Sequence, residues 1–247
     1  MIGLPELPPL PLLRFPLVPP FVASSRPVEV TVSMSRGTQM PVPSCGMAAL
    51  SPPTITTKMK ILTDVDGVLL DWETEFNQWM IGLGYKLYDP SSYELEKRFR
   101  IHSKDALNLC ETFNRSAEIG FLDAFKDSIK YTRKINEETG ARFICISSLS
   151  ENKAAQKLRT FNLSDVFGDV FEDFIYLPCG AHKGDVLDQF AYTGMWWIED
   201  KPENAEAGLS RGLNCVLINH PYNLSQNVHP SICRVNNWRE IHSLICK

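Results

Sequence analysis

The chain has 247 residues, 44% hydrophobic and 22% charged, which suits one globular domain or one domain with an insertion. Lys+Arg 25 against Asp+Glu 29 gives a net charge of −4, which argues against a broad basic surface for nucleic acid. No run of about 18 apolar residues lacks a breaker, so no membrane span is expected.

The averages hide an asymmetry. Residues 1–57 hold 12 of the 17 prolines but only two acidic residues, Glu6 and Glu29, and three basic ones, Arg14, Arg26 and Arg36. Proline removes a backbone donor and clashes inside a helix, so Leu4 to Phe21 reads as extended chain. Glu6, Pro8, Pro9 and Pro11 argue against a secretory signal, while the scarcity of acids leaves a transit peptide open. Residues 1–57 are read as a Pro-rich disordered tail or an over-called start, with Met59 directly before the first strand. The seven cysteines include no Cys-x-x-Cys pair, so no zinc knuckle or dithiol site is indicated and a reducing, cytoplasmic setting is expected. Asn-x-Ser/Thr matches at Asn114, Asn162 and Asn223 are read as chance.

From Lys58 the elements alternate. Lys60–Thr63 is a short apolar run that reads as a buried strand, and Thr74–Leu83 carries Phe76, Trp79, Met80 and Leu83 at helical spacing. Residues 85–119 mix charges with aromatics and read as a small helical insertion. Leu122–Glu138 is expected to be helical, Arg142–Ile146 a strand and Ala154–Phe161 a helix. Phe174–Leu177 is a third strand, Gly184–Phe190 a helix, Met195–Ile198 a fourth strand and Pro202–Leu209 a helix. Leu213–Ile218 is a fifth strand and Trp238–Ile245 a last helix. Such alternation predicts an α/β fold, a Rossmann-like three-layer parallel sheet, with its site beyond the carboxyl ends of the strands.

Those ends carry Asp64-Val65-Asp66-Gly67, Ser147-Ser148, Lys183 and Glu199-Asp200. Each is ordinary alone, and the joint placement is the signal. Carboxylates sharing a crevice repel by about 4 kcal/mol per pair at ~4 Å and an effective dielectric of ~20. Lys183 offsets part of this, and an all-oxygen donor set favours a hard cation such as Mg²⁺. Cation, ammonium and hydroxyl together suit a phosphoryl group.

These residues resemble the motifs of the haloacid dehalogenase superfamily of phosphohydrolases. Ile61-Leu62-Thr63-Asp64-Val65-Asp66-Gly67-Val68 matches the first motif, Ile144-Cys145-Ile146-Ser147 the second, Lys183 the third and Trp197-Ile198-Glu199-Asp200 the fourth. Successive motifs stand 83, 36 and 17 residues apart. The resemblance implies a hydrolase of phosphoric monoesters. In it Asp64 is the nucleophile that forms an aspartyl-phosphate, and Asp66 is the general acid and then base. Ser147, or Ser148 if the strand runs one residue further, binds the phosphoryl oxygens, and Lys183 neutralises charge. Asp64, the Asp66 carbonyl and Asp200 hold Mg²⁺, with Glu199 assisting directly or through water, and Asn204 is a candidate buttress.

The resemblance also implies a small helical cap at 73–119, set into a core of 58–72 and 120–247. The stretch Asp66-Gly67-Val68-Leu69-Leu70-Asp71-Trp72 is similar to the 5′(3′)-deoxyribonucleotidase branch, with Glu199-Asp200 where that branch has Asp-Asp and Ser147 where Thr is usual. Trp72 and Phe76 are candidate substrate-binding aromatics able to stack on a nucleobase, the hydrophobic core of the cap being the other reading for each. The expected partner is a small-molecule phosphomonoester, nucleoside 5′-monophosphate being one form. The alternatives are a nucleic-acid end phosphatase using Lys97-Arg98-Phe99-Arg100, although that run also reads as a solvated helix face, and a non-catalytic binding protein of the same fold. Composition leaves the oligomeric state open.

Overall fold

The computed structural model describes residues 58–247, so the Pro-rich segment 1–57 lies outside the described residues. Six strands form one parallel sheet: β1 (Lys60–Thr63), β2 (Arg142–Ser147), β3 (Phe171–Tyr176), β4 (Trp196–Glu199), β5 (Asn214–Ile218) and β6 (Cys233–Val235). Their order is β3-β2-β1-β4-β5-β6, so the direction of winding reverses between β1 and β4. Strand β6 is the one the sequence pattern missed. Its three residues include Arg234 and form no apolar run.

Both faces of the sheet are covered, which is why its strands read as continuous apolar runs. Alternate residues go to opposite sides. Ile61, Phe143, Cys145 and Ile198 join a core with Leu163, Phe167 and Ile241. Leu62, Ile144, Ile146 and Trp197 join the other, with Leu187 and Ala205. Helices α4 (Lys126–Thr139), α5 (Lys153–Phe167) and α8 (Trp238–Ile245) thus cover one face, and the short α6 (Gly184–Leu187) and α7 (Pro202–Leu209) the other. Cys145 and Cys215 are buried as expected.

Two boundaries differ from expectation for local reasons. The segment expected to open a helix at Leu122 stays extended until Lys126, because Ala124 bridges to Leu70 and the Phe125 N–H donates to Leu69 O at 3.1 Å. Helix α5 runs six residues past Phe161 to Phe167. The Asn152 side chain caps its first turn, and Gly168 at φ +75° ends it.

Between β1 and β2 lie three further helices, α1 (Trp72–Gly82), α2 (Leu95–Phe99) and α3 (Ser103–Asn114). Asp71 caps α1 by accepting the Thr74 N–H at 3.2 Å. Phe76 is central to their packing, with its ring 4.5 Å from Trp72, 5.4 Å from Phe113 and 6.0 Å from Phe99. The run Lys97–Arg100 is not a continuous basic face, because Arg98 and Phe99 are buried. The Arg98 guanidinium donates to Ser92 O and pairs with Glu73 at 3.0 Å. Among the described residues no helix is long and apolar enough to cross a membrane.

Candidate active site

Strand register assembles the floor of the site. Thr63 pairs with Cys145 on one side and Ile198 on the other, so Asp64 leaves the sheet beside Glu199, its N–H donating to Ile198 O at 2.9 Å. Lys183, the residue before α6, brings its Nζ 2.6 Å from Asp64 Oδ2 and 2.8 Å from Glu199 Oε1. Its side chain is only 2% exposed.

Glu199 has every oxygen engaged. Oε1 accepts Lys183 and Asn204 Nδ2 (2.6 Å), and Oε2 accepts the backbone N–H groups of Asp200 (2.7 Å) and Lys201 (2.6 Å). It therefore orients Lys183 and the turn after β4, and Asn204 buttresses that turn. Asp200 accepts the Tyr222 hydroxyl, and its backbone oxygen accepts Asn223 Nδ2 at 2.7 Å. Asn223 also donates to Ile218 O at 2.8 Å, pinning the loop after β5. Asn114, Asn162 and Asn223 are all buried, in keeping with chance glycosylation matches.

Asp66, next to this cluster on the cavity floor, has partners of its own. Its Oδ1 pairs with Arg159 Nη1 at 2.5 Å and its Oδ2 accepts the Ser147 hydroxyl at 3.4 Å. Gly67 turns the chain beside it at φ +78°, where a β-carbon would fall 2.5 Å from Asp200 Oδ2. Only glycine fits both the angle and the space.

A cavity of about 400 Å³ opens above this floor. Asp64, Asp66, Lys183 and Asp200 line its base, Ser148 its side, and Trp72 and Tyr93 the inserted segment. Ser147 is fully buried behind Asp66, and Ser148 donates to Ala181 O at 2.7 Å. Phe76 does not reach the cavity. It is completely buried behind Trp72, which corrects the expectation that it binds substrate: on α1 it points inward with Met80. Trp72 is held by its indole N–H donating to Asn114 Oδ1 at 2.8 Å.

The electrostatics follow from burial. Desolvation raises the Asp64 pKa to about 7, opposed by Lys183 and reinforced by Glu199 and Asp66. Asp200 is pushed well above the ordinary carboxylate range by burial, then by Glu199 and Asp64. Burial works against the Lys183 ammonium, but Asp64 and Glu199 override it and hold its pKa above the usual value. Burial also opposes ionised Glu199, yet Lys183 and its other hydrogen bonds keep it below its ordinary value. Asp64, Glu199 and Asp200 each bring an oxygen within 4.8 Å of the others. Burial and the crowding of these carboxylates around one ammonium raise Asp64 and Asp200, and a hard cation fits a site where it would let both ionise.

Sequence reasoning missed Arg159, Tyr222, His220 and Asn223. Arg159 lies mid-helix and is completely buried, and His220 Nε2 is 2.7 Å from Gly67 O. Nothing in their local spacing announces the contact.

No protein-family profile matches the chain. It is 25% identical over 152 residues to an uncharacterized 32.4 kDa protein of Enterobacteria phage T4; the match covers 58% of this chain and 54%, about half, of that relative's length. Among solved structures it is similar to a haloacid dehalogenase-like hydrolase from Streptococcus pneumoniae, with TM-score 0.53 and 15% identity over 77% of this chain and 99% of that one. It is also similar to CbbY from Rhodobacter sphaeroides in complex with phosphate, with TM-score 0.51 and 16% identity over 74% and 96%. An L-2-haloacid dehalogenase superposes with TM-score 0.51 and 11% identity over 76% and 99%. The chain thus shares its overall fold with haloacid dehalogenase-like hydrolases.

Proposed function

We propose that the protein is a Mg²⁺-dependent phosphomonoester hydrolase that works through an aspartyl-phosphate on Asp64. The observation that carries this reading is the buried Asp64–Lys183–Glu199 contact at the base of a cavity, with Asp66 and Asp200 beside it. Asp64 attacks phosphorus, and the ester oxygen leaves with a proton from Asp66. Asp66 then takes a proton from water as that water attacks the aspartyl-phosphate, releasing phosphate and restoring Asp64. Lys183 neutralises charge on the transferred group, and Ser148 on the cavity wall donates to its oxygens, β2 running one residue further than expected and leaving Ser147 buried behind Asp66. Asp64, the Asp66 carbonyl and Asp200 would hold Mg²⁺, which supplies electrostatic stabilisation of the phosphoryl oxygens. Glu199, its oxygens already engaged, keeps Lys183 and Asp200 in place.

Helices α1–α3 act as the cap, residues 73–119, over the core of 58–72 and 120–247. The substrate is a small metabolite of nucleoside 5′-monophosphate type, as in the deoxyribonucleotidase branch. Support comes from the Trp72 and Tyr93 side chains on the cavity and from its volume of about 400 Å³, within the range of small-ligand sites. A reducing, cytoplasmic setting suits the free thiols.

The test is phosphate release from a panel of nucleoside monophosphates, sugar phosphates and end-phosphorylated oligonucleotides, with Mg²⁺ and with chelator. Asp64→Asn is run alongside. Metal-dependent release that vanishes in the variant is expected, with nucleoside monophosphates preferred. Release from oligonucleotides alone would replace the small-molecule reading, and full activity in Asp64→Asn would remove the nucleophile.

A further inference from the structure

The mechanism above leaves one chemically reactive pair unused. Cys110 lies on α3 and Cys179 on the loop between β3 and α6, 69 residues away, yet their sulfurs stand 3.2 Å apart on the wall of the cavity. Both are free thiols and both are partly exposed. Asn114, one turn after Cys110, directs its Nδ2 toward the pair, 3.8 Å from Cys110 Sγ and 3.7 Å from Cys179 Sγ. The same amide group donates to Leu149 O at 2.9 Å, and Asn114 Oδ1 holds the Trp72 indole. The same loop runs close to α3 at Gly180, where an added β-carbon would meet Leu107 Cδ1 at an ordinary contact distance of 3.8 Å. The inserted helices and the core therefore meet at a dithiol.

We propose that Cys110 and Cys179 form a redox-active dithiol that closes to an intrachain disulfide on exchange with low-molecular-weight disulfides, locking α3 onto the core. The Cys179 thiolate attacks one sulfur of the external disulfide, forming a mixed disulfide and releasing one thiolate. The Cys110 thiol loses its proton to solvent and its sulfur attacks Cys179 Sγ, releasing the second. Two protein thiols and one external disulfide become one protein disulfide and two external thiols, so two electrons pass from protein to oxidant. The hydrogen bond between the two thiols holds Cys179 below the usual value and pushes Cys110 above it, so Cys179 attacks first and Cys110 ionises only once Cys179 is held in the mixed disulfide. The consequence for turnover rests on the phosphatase reading: a locked insertion slows passage of substrate and product.

The experiment oxidises the full chain with glutathione disulfide and maps its seven cysteines by non-reducing peptide mass analysis. A linked Cys110–Cys179 peptide is expected, together with slower amide exchange across α3. Rates on the best phosphomonoester should fall at least ten-fold and return with a dithiol reductant. Cys179→Ser and Cys110→Ser, whatever their basal rates, should lose this sensitivity. Glutathione adducts without the linked peptide, or pairing with other cysteines, would overturn the proposal, as would a linked peptide with unchanged exchange across α3. A protein that hydrolyses no ester in either state would sink the phosphatase reading, while peptide map and amide exchange still decide the dithiol.

Discussion

The floor of the cavity and the inserted helices that face it are held by different forces. On the floor, Asp64, Lys183, Glu199, Asp200 and Asn204 are interlocked by hydrogen bonds and ion pairs, each placed by a strand end or the start of a helix. In the insertion, Trp72, Phe76, Phe99 and Phe113 pack by shape around one another, and Phe76 carries no polar group at all. Directional bonds tolerate little displacement, whereas apolar packing survives substitution when volume is kept. Changes to the floor should therefore act on chemistry, and changes to the insertion on stability and on the choice of leaving group.

The sharpest way to break that division is Lys183→Ala. The reaction loses its one buried ammonium, and phosphate release should fall by roughly 10³–10⁵ under saturating substrate. Circular dichroism would report whether the fold persists, and a folded variant retaining a tenth of the rate would take Lys183 out of the chemistry. Phe76→Ala comes next. Emptying a fully buried aromatic site should cost about 3–5 kcal/mol in denaturant unfolding, with KM for the best phosphomonoester of the panel rising more than kcat falls. An unchanged unfolding midpoint would show that the aromatic cluster does not hold the insertion.

The smallest effect is a pH dependence of metal stabilisation. The folded pKa of Asp64, about 7, lies above its unfolded value of 3.8, so the metal-free fold retains a proton that the unfolded chain releases. Its contribution to stability is complete below 3.8 and is lost as pH rises through about 7. Mg²⁺ prefers the ionised site, so the gain in Tm from Mg²⁺ over chelator should widen across that window. Scanning calorimetry at both ends measures it, and a gap that narrows with rising pH would contradict the buried acidic cluster as the metal site.

The sheet and the floor were legible because their information is local. Asp64 and Asp66 follow an apolar run directly, Asp200 follows another, and Lys183 begins a helix, so strand ends could be located and compared. Arg159 was not legible, because an arginine within a helix carries no mark of facing inward and its partner Asp66 lies 93 residues away. Tyr222 and Asn223 sit in an irregular loop whose position depends on β5 and on the unforeseen β6. For Phe76 the sequence leaves stacking on a base and packing in the core both open. Its helical phase with Met80 points it to the interior, and phase is what the residue type does not state.

The two ends of the inserted segment run side by side. The Asp71 N–H donates to Asp123 O at 2.8 Å, and the Phe125 N–H to Leu69 O at 3.1 Å. A segment that departs and returns through one paired stalk adds little to the closure entropy of the rest of the chain, whatever its length. It can be lengthened, trimmed or exchanged without shifting the register of β1 against β2. Within such an architecture the cavity floor and the helices that face it can be altered independently of one another.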